Sequence, residues 1–261
     1  MGEPVIDGSW LLVTALAGLG LLVGIYGSLI GVGGALLLVP VLIFIFPEAE
    51  PLALTAVSLT IVLVNALGSA GAYAWQRRID YRSGLWFAAA AIPGVWLGIW
   101  TLQFIPRSSF VFIFGAVMIL IAGTLAFRSI PSSKNNGVET TPRHRPLGAG
   151  LSVGAGYLSG LLGIGGGIIH VPMMTYLLRF KPHIATATSS FILVFTATAG
   201  VVTHLTQGNL NGNWAVIPWL AAGVIGGSQI GAHLSKRLQG QALIRILAIS
   251  LALTGIRLLF G

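Results

Sequence analysis

"GVGGALLLVP" occupies residues 31–40, and "GIGGGIIHVP" occupies residues 163–172. The stretches lie 132 residues apart (163 − 31). Each carries glycine at its first, third and fourth positions and proline at its tenth. Glycine inside a helix costs about 0.5–1 kcal/mol relative to alanine, so such a cluster weakens any helix that contains it. Either the glycines let neighbouring helices pack closely, or they interrupt a helix where a ligand must reach the backbone. What surrounds the two stretches bears on that choice.

Composition identifies the solvent. The chain of 261 residues is 55% hydrophobic and 8% charged, against about 25% charged in an ordinary soluble domain. Apolar runs near the roughly 20 residues needed to cross a hydrocarbon core recur at 52–75, 84–102, 109–127, 184–205, 214–234 and 241–260. A β-barrel would instead alternate apolar and polar residues over about ten-residue segments. The sequence therefore predicts an all-α, polytopic helical membrane protein. The N-terminus has Glu3 and Asp7 and no basic residue ahead of its apolar run, unlike a cleavable signal peptide, so 8–30 reads as a retained helix. The absence of cysteine excludes disulfides and thiolate chemistry. The net charge of +8 reads as membrane topology rather than nucleic-acid binding. Tryptophans at 10, 75, 86, 96, 100, 214 and 219 fit an interfacial belt.

The polar stretch "RSIPSSKNNGVETTPRHRP" at 128–146 has linker composition and separates a first repeat, 1–127, from a second, 147–261. Gly31, Gly33, Gly34 and Pro40 align with Gly163, Gly165, Gly166 and Pro172. "TAVSL" at 55–59 aligns with "TATSS" at 186–190, and Gly94 and Gly98 fall opposite Gly227 and Gly231. Each half divides into five apolar pieces: 8–30, 31–46, 52–75, 84–102 and 109–127, then 147–162, 163–178, 184–205, 214–234 and 241–260. An odd number of crossings per half inverts the second half relative to the first. Charge agrees, because cytoplasmic loops collect Lys and Arg. Loop 76–83 carries Arg77, Arg78 and Arg82 while 206–213 carries no charge; 47–51 is acidic while 179–182 is basic. The expectation is that both termini lie outside, in the periplasm, and the linker in the cytoplasm.

Two full crossings need about 40 residues, yet 147–178 offers 32 and 8–46 offers 39. The second helix of each half is therefore short and begins at its glycine cluster. Matching Gly/Pro-interrupted segments in two halves point to a transporter's binding site. Backbone N–H groups freed there cannot face lipid, but they can face a cavity and hold an anion with the help of the helix dipole. Gly31, Gly33, Gly34, Gly163, Gly165, Gly166 and Gly167 are the candidate contacts, with close packing the competing role.

With its paired glycine motifs opening each half of a linker-divided chain, the sequence resembles the TauE/SafE family of sulfite and organosulfonate exporters. The resemblance covers nearly the whole chain. It implies a bacterial inner-membrane permease for small sulfur-containing anions such as sulfite, thiosulfate or short sulfonates, usually moved outward. Ala35 stands where the second copy has Gly167, so the first site is expected to be tighter or less unwound.

Among the remaining polar groups, Thr55, Ser58, Ser69 and Tyr73 share one helical face, and their counterparts are Thr186, Ser189, Gly200 and His204. Ser58, Thr186 and Ser189 are candidate donors to an anion, with local bonding to the i−4 carbonyl as the alternative. Asn65 needs a partner wherever it sits in the membrane. His170 stands where the first half has Leu38; it is either an ion-coupling or substrate-specific group or a packed histidine. His204 and His233 are expected at the interface. No histidine pair has metal-ligand spacing, and no metal or cofactor is expected. With no P-loop pattern and no plausible nucleophile–base pair, the chain is not expected to be an enzyme; "GYLSG" at 156–160 with His204 has the wrong spacing for an intramembrane serine protease. The expected partners are a small anionic solute and the lipid bilayer, with a homodimer possible and no nucleic acid. A passive anion channel and a carboxylate permease remain the alternatives.

Overall fold

Ten helices account for nearly all of the described residues of the computed structural model, which are 10–127, 145–210, 216–238 and 240–260. The helices are α1 Trp10–Ile30, α2 Ala35–Ile45, α3 Pro51–Trp75, α4 Tyr81–Leu102, α5 Arg107–Phe127, α6 Arg145–Leu162, α7 Gly167–Leu177, α8 Pro182–Thr206, α9 Ile217–Leu234 and α10 Gly240–Phe260. Residues 128–144 of the expected linker, Trp214 and the end of loop 206–213 lie outside the described residues. The last two linker positions, 145 and 146, begin α6 instead.

Local chemistry explains several of these boundaries. Pro51 and Pro182 occupy the first turns of α3 and α8, where a missing N–H removes nothing. Asp80 caps α4 by accepting from the Ser83 N–H at 3.2 Å and the Ser83 hydroxyl at 2.9 Å. The end of α2 is closed by Arg107, which donates from Nη2 to Ile43 O at 2.8 Å and from Nη1 to Ala49 O. A cation there suits the negative end of the helix.

Five helices are long and apolar enough to cross a membrane: Val13–Ile30, Pro51–Trp75, Tyr81–Leu102, Arg107–Thr124 and Pro182–Thr206. The outer surface suits lipid. Trp10, Trp75, Trp86, Trp96, Trp100 and Trp219 are exposed, together with many Leu, Ile and Phe side chains. In a soluble domain so much exposed apolar surface would be an association hazard. The protein is thus an all-α, multi-pass membrane protein.

The helices pack in four principal pairs: α1 with α9, α4 with α6, α3 with α8, and α5 with α10. In the repeat α1 corresponds to α6 and α9 to α4, so the first two pairs are one contact with the halves exchanged. Glycine makes both possible. A Cβ on Gly94 or Gly98 would strike the backbone oxygen of Val153 or Tyr157, and one on Gly156 or Gly160 would strike Ala91 or Val95. Across α1 and α9, Gly20, Gly223, Gly227 and Gly231 meet backbone oxygens in the same way. These glycines serve close helix packing, the role that competes with binding for the two clusters. The long helices α3 and α8 run through the centre, and both short helices pack against them.

Candidate functional site

Both glycine clusters break the helix. Helix α1 stops at Ile30 and α2 starts at Ala35; α6 stops at Leu162 and α7 starts at Gly167. The breaks use left-handed backbone at matching positions, with φ of +80°, +80° and +84° at Gly31, Gly33 and Gly34 and +70°, +72° and +88° at Gly163, Gly165 and Gly166. A residue with a Cβ pays about 1–2 kcal/mol to adopt this conformation. Pro40 and Pro172 lie inside the short helices. Each removes an N–H, and after Pro172 the chain continues as a π-helical turn, Met173–Leu177.

The two loops are held by each other's halves. Ser58 Oγ donates to Gly163 O at 2.7 Å, and Ser189 Oγ donates to Gly31 O at 2.8 Å. One turn earlier, Thr55 and Thr186 lie against the same two glycines. A Cβ on Gly163 would be 2.8 Å from Thr55 Cα, and one on Gly31 would be 2.9 Å from Thr186 Cα. The hydroxyls of Ser58 and Ser189 are therefore committed to the loop carbonyls, and that of Thr186 bonds Pro182 O at 2.9 Å. Ser69 bonds the Asn65 carbonyl, and the Tyr73 hydroxyl bonds Ser28 O.

Where the loops converge, Gly167 lies against the backbone of Gly31 and Val32. Val62 and Leu193, equivalent under the 131-residue offset (193 − 62), wall the junction. Both would touch a Cβ placed on Gly33 or Gly165, and both are buried. All the cluster glycines are buried as well. Among the described residues no acceptor pairs with the N–H groups of Gly34, Ala35 and Leu36, or with those of Gly165, Gly166, Gly167 and Ile168. In the first break Val32 and Gly33 still donate to Gly27 O, at 2.9 and 3.4 Å, whereas Ile164 and Gly165 have no such bond. The first break is the less unwound of the two, in line with Ala35 replacing Gly167.

His170 folds back over the second loop. Its Nδ1 bonds Gly166 O at 2.9 Å, and because a carbonyl only accepts, Nδ1 carries the proton. The buried Nε2 is then a bare acceptor without a partner. Asn65 is buried beside the first loop and accepts from Ser28 Oγ through Oδ1 at 2.7 Å. His204, in the last turn of α8, is buried within the protein, its Nδ1 3.1 Å from Asn209 Nδ2; the loop after α8 folds back over it. His233, in the last turn of α9, is exposed.

Sequence reasoning missed Thr196, whose hydroxyl donates to Gly165 O at 2.9 Å. Its signal was present, since 196 is 131 past Asn65. Also missed was Arg78, which joins the halves beside the α3–α4 turn through Ser235 Oγ at 3.1 Å and His183 O at 3.2 Å and stacks on the Tyr73 ring at 5.1 Å. Partial burial lowers the Arg78 guanidinium from its ordinary value, and the neighbouring Tyr73 offsets part of that.

Paired short helices that start inside the bundle, on glycine loops with unpaired N–H groups, define a membrane protein of the broken-helix transporter class. Similarity to known proteins agrees. The chain matches the family described as "Sulfite exporter TauE/SafE" over residues 16–258, and it belongs to that family. It is 32% identical to the "Probable membrane transporter protein YunE" of Bacillus subtilis (strain 168), covering 93% of this chain and 95% of that one. A "Probable membrane transporter protein" of Xylella fastidiosa (strain Temecula1) is 30% identical over 85% of this chain and 84% of its own. The "Probable membrane transporter protein MJ0441" of Methanocaldococcus jannaschii is 28% identical, with 95% and 96% covered. No solved structure matches the chain significantly. The protein is a membrane transporter.

Proposed function

We propose that this transporter is a secondary permease for a small sulfur-containing anion, such as sulfite, thiosulfate or a short organosulfonate, and that it works outward across a bacterial inner membrane by alternating access. The single observation that carries this reading is the pair of glycine loops, whose unpaired N–H groups open two facing short helices at the centre of the bundle. Such groups, at the positive end of a helix dipole, suit an anion. The family's description supplies the sulfur in the proposed substrate.

In this reading the repeats 1–127 and 147–261 insert in opposite orientations, with the termini periplasmic and 128–146 cytoplasmic. The exchanged contacts of Ser58 and Ser189 and the opposite charges of equivalent loops support that arrangement. Ser58, Thr186, Ser189 and Thr196 act as positioning residues that hold the loops. Gly31, Gly33, Gly34, Gly163, Gly165, Gly166 and Gly167 supply backbone, while Asn65 and His170 supply side chains. Val62 and Leu193 close the junction, and transport requires them to part.

Purified protein in proteoliposomes loaded with sulfite is expected to accumulate labelled sulfite by saturable counterflow. Strictly conductive flux without counterflow would instead identify a channel, and counterflow with short carboxylates alone would replace the sulfur assignment.

A further inference from the structure

The two glycine loops differ chemically. Thr196, the counterpart of Asn65, has its hydroxyl engaged by Gly165 O at 2.9 Å. Asn65 has a donor to spare. The bond from Ser28 Oγ to Asn65 Oδ1, 2.7 Å long, engages the amide oxygen, while Nδ2 lies against Gly27, on the same helix α1 as Ser28. There Nδ2 and the Gly34 N–H crowd the same point, the one that a Cβ on Gly27 would occupy. The second half fills the equivalent position with a side chain, because Ser159 stands where the first half has Gly27 (159 − 27 = 132). Asn65 is 0% exposed, its Nδ2 has no acceptor, and neither has the Gly34 N–H at the start of the 11-residue helix α2.

Two adjacent buried donors with no acceptor are unfavourable until something accepts from both. A charged acceptor answers that need best, since hydrogen bonds to ionised groups are the stronger ones. We propose that the first loop is the oxyanion seat: Asn65 Nδ2 and the Gly34 N–H donate together to the oxygen atoms of a sulfite, sulfonate or carboxylate group. The assignment rests on the reading of the loops as an anion site. Asn65 is its selectivity residue, and since the space beside Gly27 is filled by Nδ2 and the loop backbone, the loop must open for the anion to enter.

The test is isothermal titration of sulfite and methanesulfonate into the purified full-length protein and its variants. Asn65→Asp keeps an oxygen that can accept from Ser28 and from Gly34, so the fold should persist. It replaces the donor by a negative charge, so affinity for both ligands should fall at least tenfold. If Asn65 merely caps Gly34 through its oxygen, Asp would bind like wild type, and the proposal would be overturned. Asn65→Thr, which copies Thr196, decides the matter should the Asp variant fail to fold: a tenfold loss with unchanged circular dichroism supports the seat, and affinity within threefold of wild type overturns it. Wild-type protein that binds neither oxyanion would bring down the transport reading as well, whereas tight binding by every variant would remove only this assignment.

Discussion

Gly166 and Gly94 are glycines for opposite reasons. Gly166 sits at φ +88°, and a Cβ there would find its nearest neighbours, Ala155 O and His170 Nδ1, no closer than 3.3 Å. Alanine at this position therefore brings mainly left-handed strain, about 1–2 kcal/mol. A Cβ on Gly94 would collide with Val153 O and lie 2.7 Å from Tyr157 N, both rigid backbone. Gly166→Ala is expected to remain monodisperse on size exclusion while losing at least about tenfold in sulfite counterflow, the factor that 1.4 kcal/mol represents. Gly94→Ala is expected to aggregate. Wild-type counterflow by Gly166→Ala would mean that the left-handed loop is not the site. Ser58→Ala and Ser189→Ala each leave a buried carbonyl unpaired, a cost of about 1–3 kcal/mol. The losses should add in the double variant to within about 0.5 kcal/mol if the loops are independent; thermal unfolding of the three proteins measures this. The equivalence of these serines was legible in the sequence. Their bonding to the opposite half's loop was not, since a repeat reveals which residues correspond and leaves open which ones touch.

Helices α2 and α7 start alike and end differently. Arg107 closes α2 from another element, while α7 passes through Pro172 into a π-helical turn and is followed by Phe180 N–H donating to Met174 O at 2.8 Å. The sequence foretold both breaks, because glycine and proline act locally through backbone sterics. It gave no hint of the π turn, which depends on how α7 packs against α6 and α8. Nor did it separate the packing glycines from the loop glycines: Gly94 and Gly98 served only to align the halves, and their partners Gly156 and Gly160 emerge once α4 lies on α6. Between the two short helices, Leu193 and Val62 fill the junction. Leu193→Ala removes side-chain volume that touches both loops, and large-to-small changes of this kind cost about 2–5 kcal/mol. The variant is expected to leak, releasing trapped sulfite from proteoliposomes faster than wild type without a counter-substrate. Unchanged passive efflux in both Leu193→Ala and Val62→Ala would show that this pair does not close the path.

At the scale of the whole molecule, the exchanged pairs α1–α9 and α6–α4 and the reciprocal bonds of Ser58 and Ser189 are what a two-fold relation between the halves produces. If its axis lies in the membrane plane, equivalent loops must emerge on opposite sides, and the charges say which. Arg77, Arg78 and Arg82 cluster after α3, whereas the equivalent turn after α8 is neutral, and positive loops face the cytoplasm. A chain without native cysteine makes the measurement direct. Arg82→Cys and Gln207→Cys both fall at exposed positions, outside the contacts that hold the glycine loops. In right-side-out vesicles a membrane-impermeant maleimide is expected to label Gln207→Cys at once, and Arg82→Cys only after the membrane is permeabilised. Immediate labelling of both, or of neither, would put the two loops on one face. The halves would then be parallel, and the short helices could not face each other across a common midplane.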